Sequence, residues 1–254
     1  MQEVYYYAVT ADNKAGRSKG ATQFIGVGKP YTFPVDESFS NGRLNLNPWS
    51  YKNVQGSLGW ETMRSDDGGG SPQDNDRGFV KFTNMWGESC VDSRLITPAV
   101  SMEGTTKPTF SFYMFHWEAN SVASDNKQTK LMIEVAPDGG DFEEPIDTFT
   151  AAYDKYGWVE HRVSLEKYKN CKYILVALRG YTNNDWMYYY VDNIHFDEQK
   201  DNDLAVTAFS GPENANINDD CAFSVTYSNR GTKSAKDYTI VLKQNSCLLY
   251  TSPS

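Results

Sequence analysis

The stretch "FSFYMFHW" (110–117) alternates strictly. In an extended chain Phe110, Phe112, Met114 and His116 fall on one face, and Ser111, Tyr113, Phe115 and Trp117 on the other. A period of two is a strand signal, and it recurs along the chain. "KLMIEVAP" (130–137) sets Leu131, Ile133 and Val135 together, and "WVEHRVSL" (158–165) sets Val159, His161, Val163 and Leu165 together. "KYILVALRGY" (172–181) is apolar on both faces, as a central sandwich strand is. Turn residues separate these runs at 65–78, 136–141 and 180–185. The main helix candidate is "SLEKYKN" (164–170). Ser164 can cap it, but Glu166 stands one residue early for a capping box, so one short turn is expected. Short strands punctuated by turns predict an all-β chain built as a sandwich.

A net charge of −9 argues against a nucleic-acid binder, which would carry a basic patch. No stretch reaches the ~18 apolar residues of a membrane helix, so no membrane insertion is expected. The start, "MQEVYYYAVT", lacks the charged and apolar regions of a secretory signal. Cys90, Cys171, Cys221 and Cys247 fit no zinc or CxxC spacing, and no essential disulfide is expected. Two composition breaks, "GKPYTFP" (28–34) and "DEQKDND" (197–203), read as linkers. The segments outside them are too short to bury a core alone.

One strand poses a problem. "WMYYYVDNIHF" (186–196) is aromatic and β-branched until Asp192 and Asn193 interrupt it. The strand can end there in a turn, with Asp192 bonding a nearby backbone N–H, or Asp192 can serve a ligand. Catalysis finds little support. Cys90, His116 and His161 could form a Cys–His pair on paper, but both histidines sit in strand patterns. There is no His-Glu-x-x-His and no phosphate loop, and the twelfth position from Asp74 is Met85 rather than the Glu of an EF-hand. Of the tryptophans, Trp186 follows "TNND" at a loop–strand junction and stands at the rim. The face holding Tyr113, Phe115 and Trp117 is an interaction patch if open to solvent, and ordinary core if covered.

Resemblance to known families adds to this reading. Residues 3–25 resemble the last two strands of a fibronectin type III domain, through Tyr5, Tyr7, Val9, Ala11, Asn13, Gly16 and Ser18. Residues 202–245 resemble the start of the bacterial cell-adhesion-related Ig-like (CARDB) module, through Asp203, Leu204 and Val206, then Asn229, Gly231 and Thr232. Both resemblances imply partial domains. The run "CLLYTSPS" at the end resembles translated sequencing-adapter read-through, so 246–254 is set aside as a non-native tail. The middle, 31–200, is similar to the MAM-like jelly rolls of the cleaved-adhesin and choice-of-anchor J families. "DESFSNG" (36–42), "GFVKFTN" (78–84), "DSRLITPAV" (92–100), the Trp-led pair from 158 to 181 and the closing "YYYVDNIHF" (188–196) carry that similarity in order.

The similarity implies a jelly-roll β-sandwich flanked at 1–28 and 202–245 by partial fibronectin-like and Ig-like pieces. In such a fold the first and last strands lie close, and related jelly rolls hold a structural calcium. Glu37 and Asp192 are then expected to share a Ca²⁺, with Asp66, Asp67 or Asp92 as further ligands. The implied role is a non-catalytic binding or adhesion module of a large secreted or cell-surface bacterial protein, with its signal peptide upstream. The partner would be a glycan, a host or extracellular protein, or neighbouring domains of the same polypeptide, with Trp186, Tyr113 and Trp117 as candidate contacts. The alternatives are a carbohydrate-binding module of a glycoside hydrolase and an accessory C-terminal region of a secreted protease.

Overall fold

The computed structural model describes residues 2–18, 21–65, 72–74, 76–84, 89–118, 128–154, 156–183, 188–212, 214, 216, 220–244 and 247–253. It divides into one unit spanning Met1–Glu198 and a second spanning Gln199–Ser254. The first opens with a ribbon. Strands β1 (Glu3–Val9) and β4 (Ala21–Val27) pair antiparallel, and short β2 (Asp12–Asn13) and β3 (Gly16–Arg17) pair at the tip. The Gln2 amide bonds the Ala99 backbone in both directions, at 2.9 and 3.1 Å.

The rest of this unit is a two-sheet sandwich. Its strands are β5 (Val35–Glu37), β6 (Ser50–Gln55), β7 (Gly59–Arg64), β8 (Gly78–Thr83), β9 (Val91–Ile96) and β10 (Val100–Ser101). They continue with β11 (Pro108–Glu118), β12 (Lys130–Pro137), β13 (Asp147–Thr150), β14 (Ala152–Tyr153), β15 (Gly157–Ser164), β16 (Tyr173–Thr182) and β17 (Tyr188–Glu198). The six-stranded sheet runs β13-β12-β16-β9-β6, with β10 beside β16. The seven-stranded sheet runs β14-β11-β17-β8-β7, with β15 beside β11 and β5 beside β17. The one turn expected near 164–170 is a 3-10 turn, Glu166–Tyr168.

The alternation read from the sequence sets the core. Phe110, Phe112 and Met114 are fully buried and His116 is 1% exposed. They meet Leu131, Ile133 and Val135 of β12 and Ile174, Val176 and Leu178 of β16, all buried. Gly180 lets β16 pass close beneath the Phe82 ring, since a Cβ there would stand 2.2 Å from it.

Strand β17 breaks the alternation. Tyr189 and Val191 belong to the core, and so do Ile194 and Phe196. Odd and even positions cannot share one face of a regular strand. A bulge makes the switch. From Ser111 to Tyr113 on β11, the partner runs from His195 to Asp192, one residue too many. Asn193 takes up the excess with φ 47, in the left-handed region that Asn tolerates. At the same point β17 changes neighbour: Val191 pairs with Val80 of β8, and Ile194 with Glu37 of β5.

The second unit holds β18 (Leu204–Ser210) paired with β19 (Ser224–Asn229), and β20 (Thr239–Gln244) paired with β21 (Cys247–Pro253). Leu204, Val206, Phe209, Phe223 and Tyr238 are among the residues lining an open groove of about 470 Å³, and Val206 stays 63% exposed. Residues 247–253, set aside above as tail, pair with β20 here. Leu, Tyr and Thr suit a strand, and the free edge of β20 offers them backbone partners.

Deleting Asn193 should prevent folding of the sandwich, because it turns either Ile194 and Phe196 or Tyr189 and Val191 out of the core. Asn193→Gly keeps the bulge but loses the two amide hydrogen bonds to the loop before β8, so it should still fold at a cost of about 1–3 kcal/mol. Soluble yield and thermal melts of the two variants check this; a folded deletion variant overturns the parity argument.

Candidate functional site

The bulge decides where the acidic residues go. Asp192 pairs with Tyr113, so it lies on the outer face of the seven-stranded sheet. Glu37 pairs with Ile194, so it lies on the inner face. The structure therefore does not bring this expected calcium pair together. The Glu37 carboxylate is taken up by four donors: the N–H groups of Phe39 (2.9 Å) and Leu46 (2.8 Å), Asn45 Nδ2 (3.1 Å) and Trp49 Nε1 (3.1 Å). It anchors the segment that leaves β5. Asp92 is elsewhere again, in the six-stranded sheet. Arg179 clasps it at 2.7 and 2.6 Å and also reaches Glu134 at 2.8 Å, while Arg94 holds the other side of Glu134. Asp66 and Asp67 lie outside the described residues, as does Trp186.

Asp192 is fully buried beneath the loop that precedes β8. Its oxygens accept the N–H groups of Gln73 (2.9 Å) and Asn193 (2.8 Å). The Asn193 amide donates to Gln73 Oε1 (2.6 Å) and Asp74 Oδ2 (3.0 Å), tying the loop down. Asp76 accepts from Ser40 Oγ at 2.6 Å. Burial, reinforced by the charges of Asp74 and Asp76, pushes the Asp192 carboxyl up to about 7, against the pull of its two N–H donors. A calcium shared by Glu37, Asp92 and Asp192 does not fit this arrangement. Among the described residues, no group of three or more His, Cys, Asp or Glu is disposed to hold a metal ion. The sequence did carry a signal of the bulge: the core-sized residues of "YYYVDNIHF" change parity across Asp192 and Asn193.

Further along the same outer face the side chains are aromatic. Tyr113, Phe115 and Trp117 of β11 stand half-buried beside Trp158 of β15 and Tyr188 and buried Tyr190 of β17, with Tyr156 65% exposed at the rim. Phe115 is the hub, its ring 5.5 Å from Trp117, 5.2 Å from Tyr156, 5.5 Å from Trp158 and 5.6 Å from Tyr190. The tilts are steep: 85° between Phe115 and Trp158, and 85° between Trp117 and Tyr188. Trp117 Nε1 donates to the Tyr188 carbonyl at 2.9 Å, and Lys81 Nζ lies 5.3 Å over the Tyr188 ring. Tyr113 and Trp117 were expected here. Phe115 was named with them only as part of the patch, and Tyr156, Tyr188 and Tyr190 were missed, because only the pairing of β11 with β15 and β17 assembles them.

The histidines do not form a nucleophile pair. His116 and His161 meet each other, Nε2 to Nε2, at 2.7 Å. Cys90 lies against Tyr181.

No family model matches the chain, and no curated protein does. Among solved structures it is similar to the K1 cleaved adhesin domain of Lys-gingipain from Porphyromonas gingivalis W83, at 20% identity and TM-score 0.49, over 65% of this chain and 98% of that one. It is also similar to the CBM22-1 xylan-binding domain of Paenibacillus barcinonensis Xyn10C, at 14% identity and TM-score 0.40, over 67% of this chain and 97% of that one.

Two outcomes follow from this geometry. Asp192 keeps a proton in the folded state from its ordinary value of 3.8 up to about 7, a range in which the unfolded chain has lost it. Its stabilising contribution is full below that window and is lost as pH rises through it, by up to about 4 kcal/mol. The melting temperature of wild type relative to Asp192→Asn should therefore fall by several degrees between pH 4 and 7; a pH-independent difference contradicts it. Arg179→Ala leaves Asp92 and Glu134 buried with one cation fewer, and should cost about 3–5 kcal/mol in denaturant unfolding.

Proposed function

We propose that the 31–200 sandwich is a non-catalytic binding module of a secreted or surface-attached modular protein, and that it takes a glycan on the aromatic outer face of its seven-stranded sheet. The observation that carries this reading is the contiguous set Phe115, Trp117, Tyr156, Trp158, Tyr188 and Tyr190, of which Trp117 alone also packs against the core. Aromatic faces pack on the C–H faces of sugar rings. Tyrosine hydroxyls with Glu61, Lys81, Glu160 and Arg162 nearby supply polar partners at the rim. The steep packing holds each ring in place, so little side-chain freedom is lost on binding.

That same tilt favours a second reading. The rings form no single flat platform, and half-exposed aromatics are also what a protein partner covers. An extracellular protein or a neighbouring domain of the same polypeptide would then be the ligand.

Affinity electrophoresis against a panel of neutral polysaccharides tests the first reading. Retardation of the wild type by at least one of them, weakened about tenfold or more by Trp158→Ala, is expected. Retardation by none, with Trp158-dependent adhesion to a purified matrix protein instead, moves the function to the second reading.

A further inference from the structure

Beneath the aromatic face lies a contact that the binding reading leaves unused. His116 stands on β11 between Phe115 and Trp117, pointing inward, and is 1% exposed. Its Nδ1 lies 2.9 Å from the Thr150 carbonyl oxygen. A carbonyl only accepts, so His116 Nδ1 carries the proton. In the neutral ring Nε2 is then a bare acceptor, and His161 Nε2, at 2.7 Å, donates to it. The Phe149 and Phe112 rings pack on His161, with centroids at 4.3 and 5.6 Å.

This contact spans β11 and β15. Among the described residues β15 pairs with β11 alone, from Thr109↔Ser164 to His116↔Gly157. Strand β15 carries Trp158, and Tyr156 immediately precedes it. Two rings of the binding face thus depend on a strand held through its pairing with β11.

We propose that the His116–His161 pair is an acid-sensitive latch: when both rings are protonated they part, β15 loosens from β11, and Tyr156 and Trp158 leave the binding face, releasing the ligand. The release half of this proposal rests on the aromatic face being the binding surface. The first added proton can enter at His161 Nδ1 and leave the bond intact. The second must occupy His116 Nε2, the acceptor. That sets two N–H donors and two positive charges head to head at 2.7 Å, and the contact cannot survive. Burial holds both rings neutral down to about 4, and the His116 charge weighs further against His161.

The titratable groups of the packed elements are placed as follows. On β11 Tyr113 occupies the outer face, as does its partner Glu160 on β15. Glu160 accepts from Arg162, also on β15, at 3.3 Å. On β13 Asp147 is exposed and accepts the Thr148 N–H at 2.8 Å. On β12 Lys130 lies over the Tyr181 ring at 5.2 Å.

The test is hydrogen exchange, corrected for intrinsic rates, at pH 7 and just below pH 4 on the whole chain. His161→Gln serves as comparison, since it keeps an N–H for His116 Nε2 and cannot take a charge. In the wild type the β15 amides should lose protection about tenfold more than those of β12 and β16, and in His161→Gln they should not. Equal behaviour of the two proteins, or full β15 protection in the wild type at the low pH, overturns the latch. In parallel, the polysaccharide that retards the wild type at pH 7 should release it at the low pH but stay bound to His161→Gln. If no polysaccharide is retained at any pH, the glycan reading fails by itself, and the exchange result still decides the latch.

Discussion

The sandwich depends on one extra residue. A strand through the middle of a sheet must keep its large side chains on the core side, and β17 does so only by changing parity between Val191 and Ile194. The bulge at Asp192 and Asn193 lets Tyr189 and Val191 fill one end of the core and Ile194 and Phe196 the other. It also ends the pairing with β8 and opens the edge to β5. Where the ladder is interrupted, the Asp192 carboxylate and the Asn193 amide are free to hold the loop before β8. Packing, topology and the buried charge thus share a single cause.

The two sheets treat their outer faces differently. On the six-stranded sheet, Arg94 and Arg179 close over Asp92 and Glu134, leaving a polar lid whose members satisfy one another. On the seven-stranded sheet one strip runs along β11 and β17, from the acid-lined bulge through Tyr113 to the aromatic cluster. Charges that pair internally have little left to offer a ligand, whereas half-exposed rings gain from being covered.

Two buried titrations within the seven-stranded sheet act with opposite sign. Between 3.8 and about 7 the folded state holds a proton on Asp192 that the unfolded chain gives up, so acid favours the fold through that carboxyl. Between 6.5 and about 4 the unfolded chain takes protons that His116 and His161 refuse in the fold, so acid disfavours it through the histidines. The windows overlap, and the overall pH profile of stability is therefore a difference between two larger effects.

Much of the fold was legible in the chain itself. Period-two alternation in 110–117 and 130–137 fixes which side chains face inward, because a strand leaves no other choice. The short turn at Glu166–Tyr168 was legible because Ser164 can cap a turn while Glu166 stands one residue early for a capping box. What alternation cannot supply is which strand lies beside which, and here the expected Glu37–Asp192 pair failed: the strands are neighbours, but the bulge puts the two carboxylates on opposite faces. The aromatic face likewise gathers residues from 113 to 190, and the His116–His161 contact joins positions whose proximity depends on twist and pairing. Sequence by itself determined the strands, their inward faces and the all-β class, since these are local consequences of side-chain period. Tertiary structure alone decided the partners of Asp192, Glu37 and the histidines, because long-range register is set by how whole strands pack and not by any one of them.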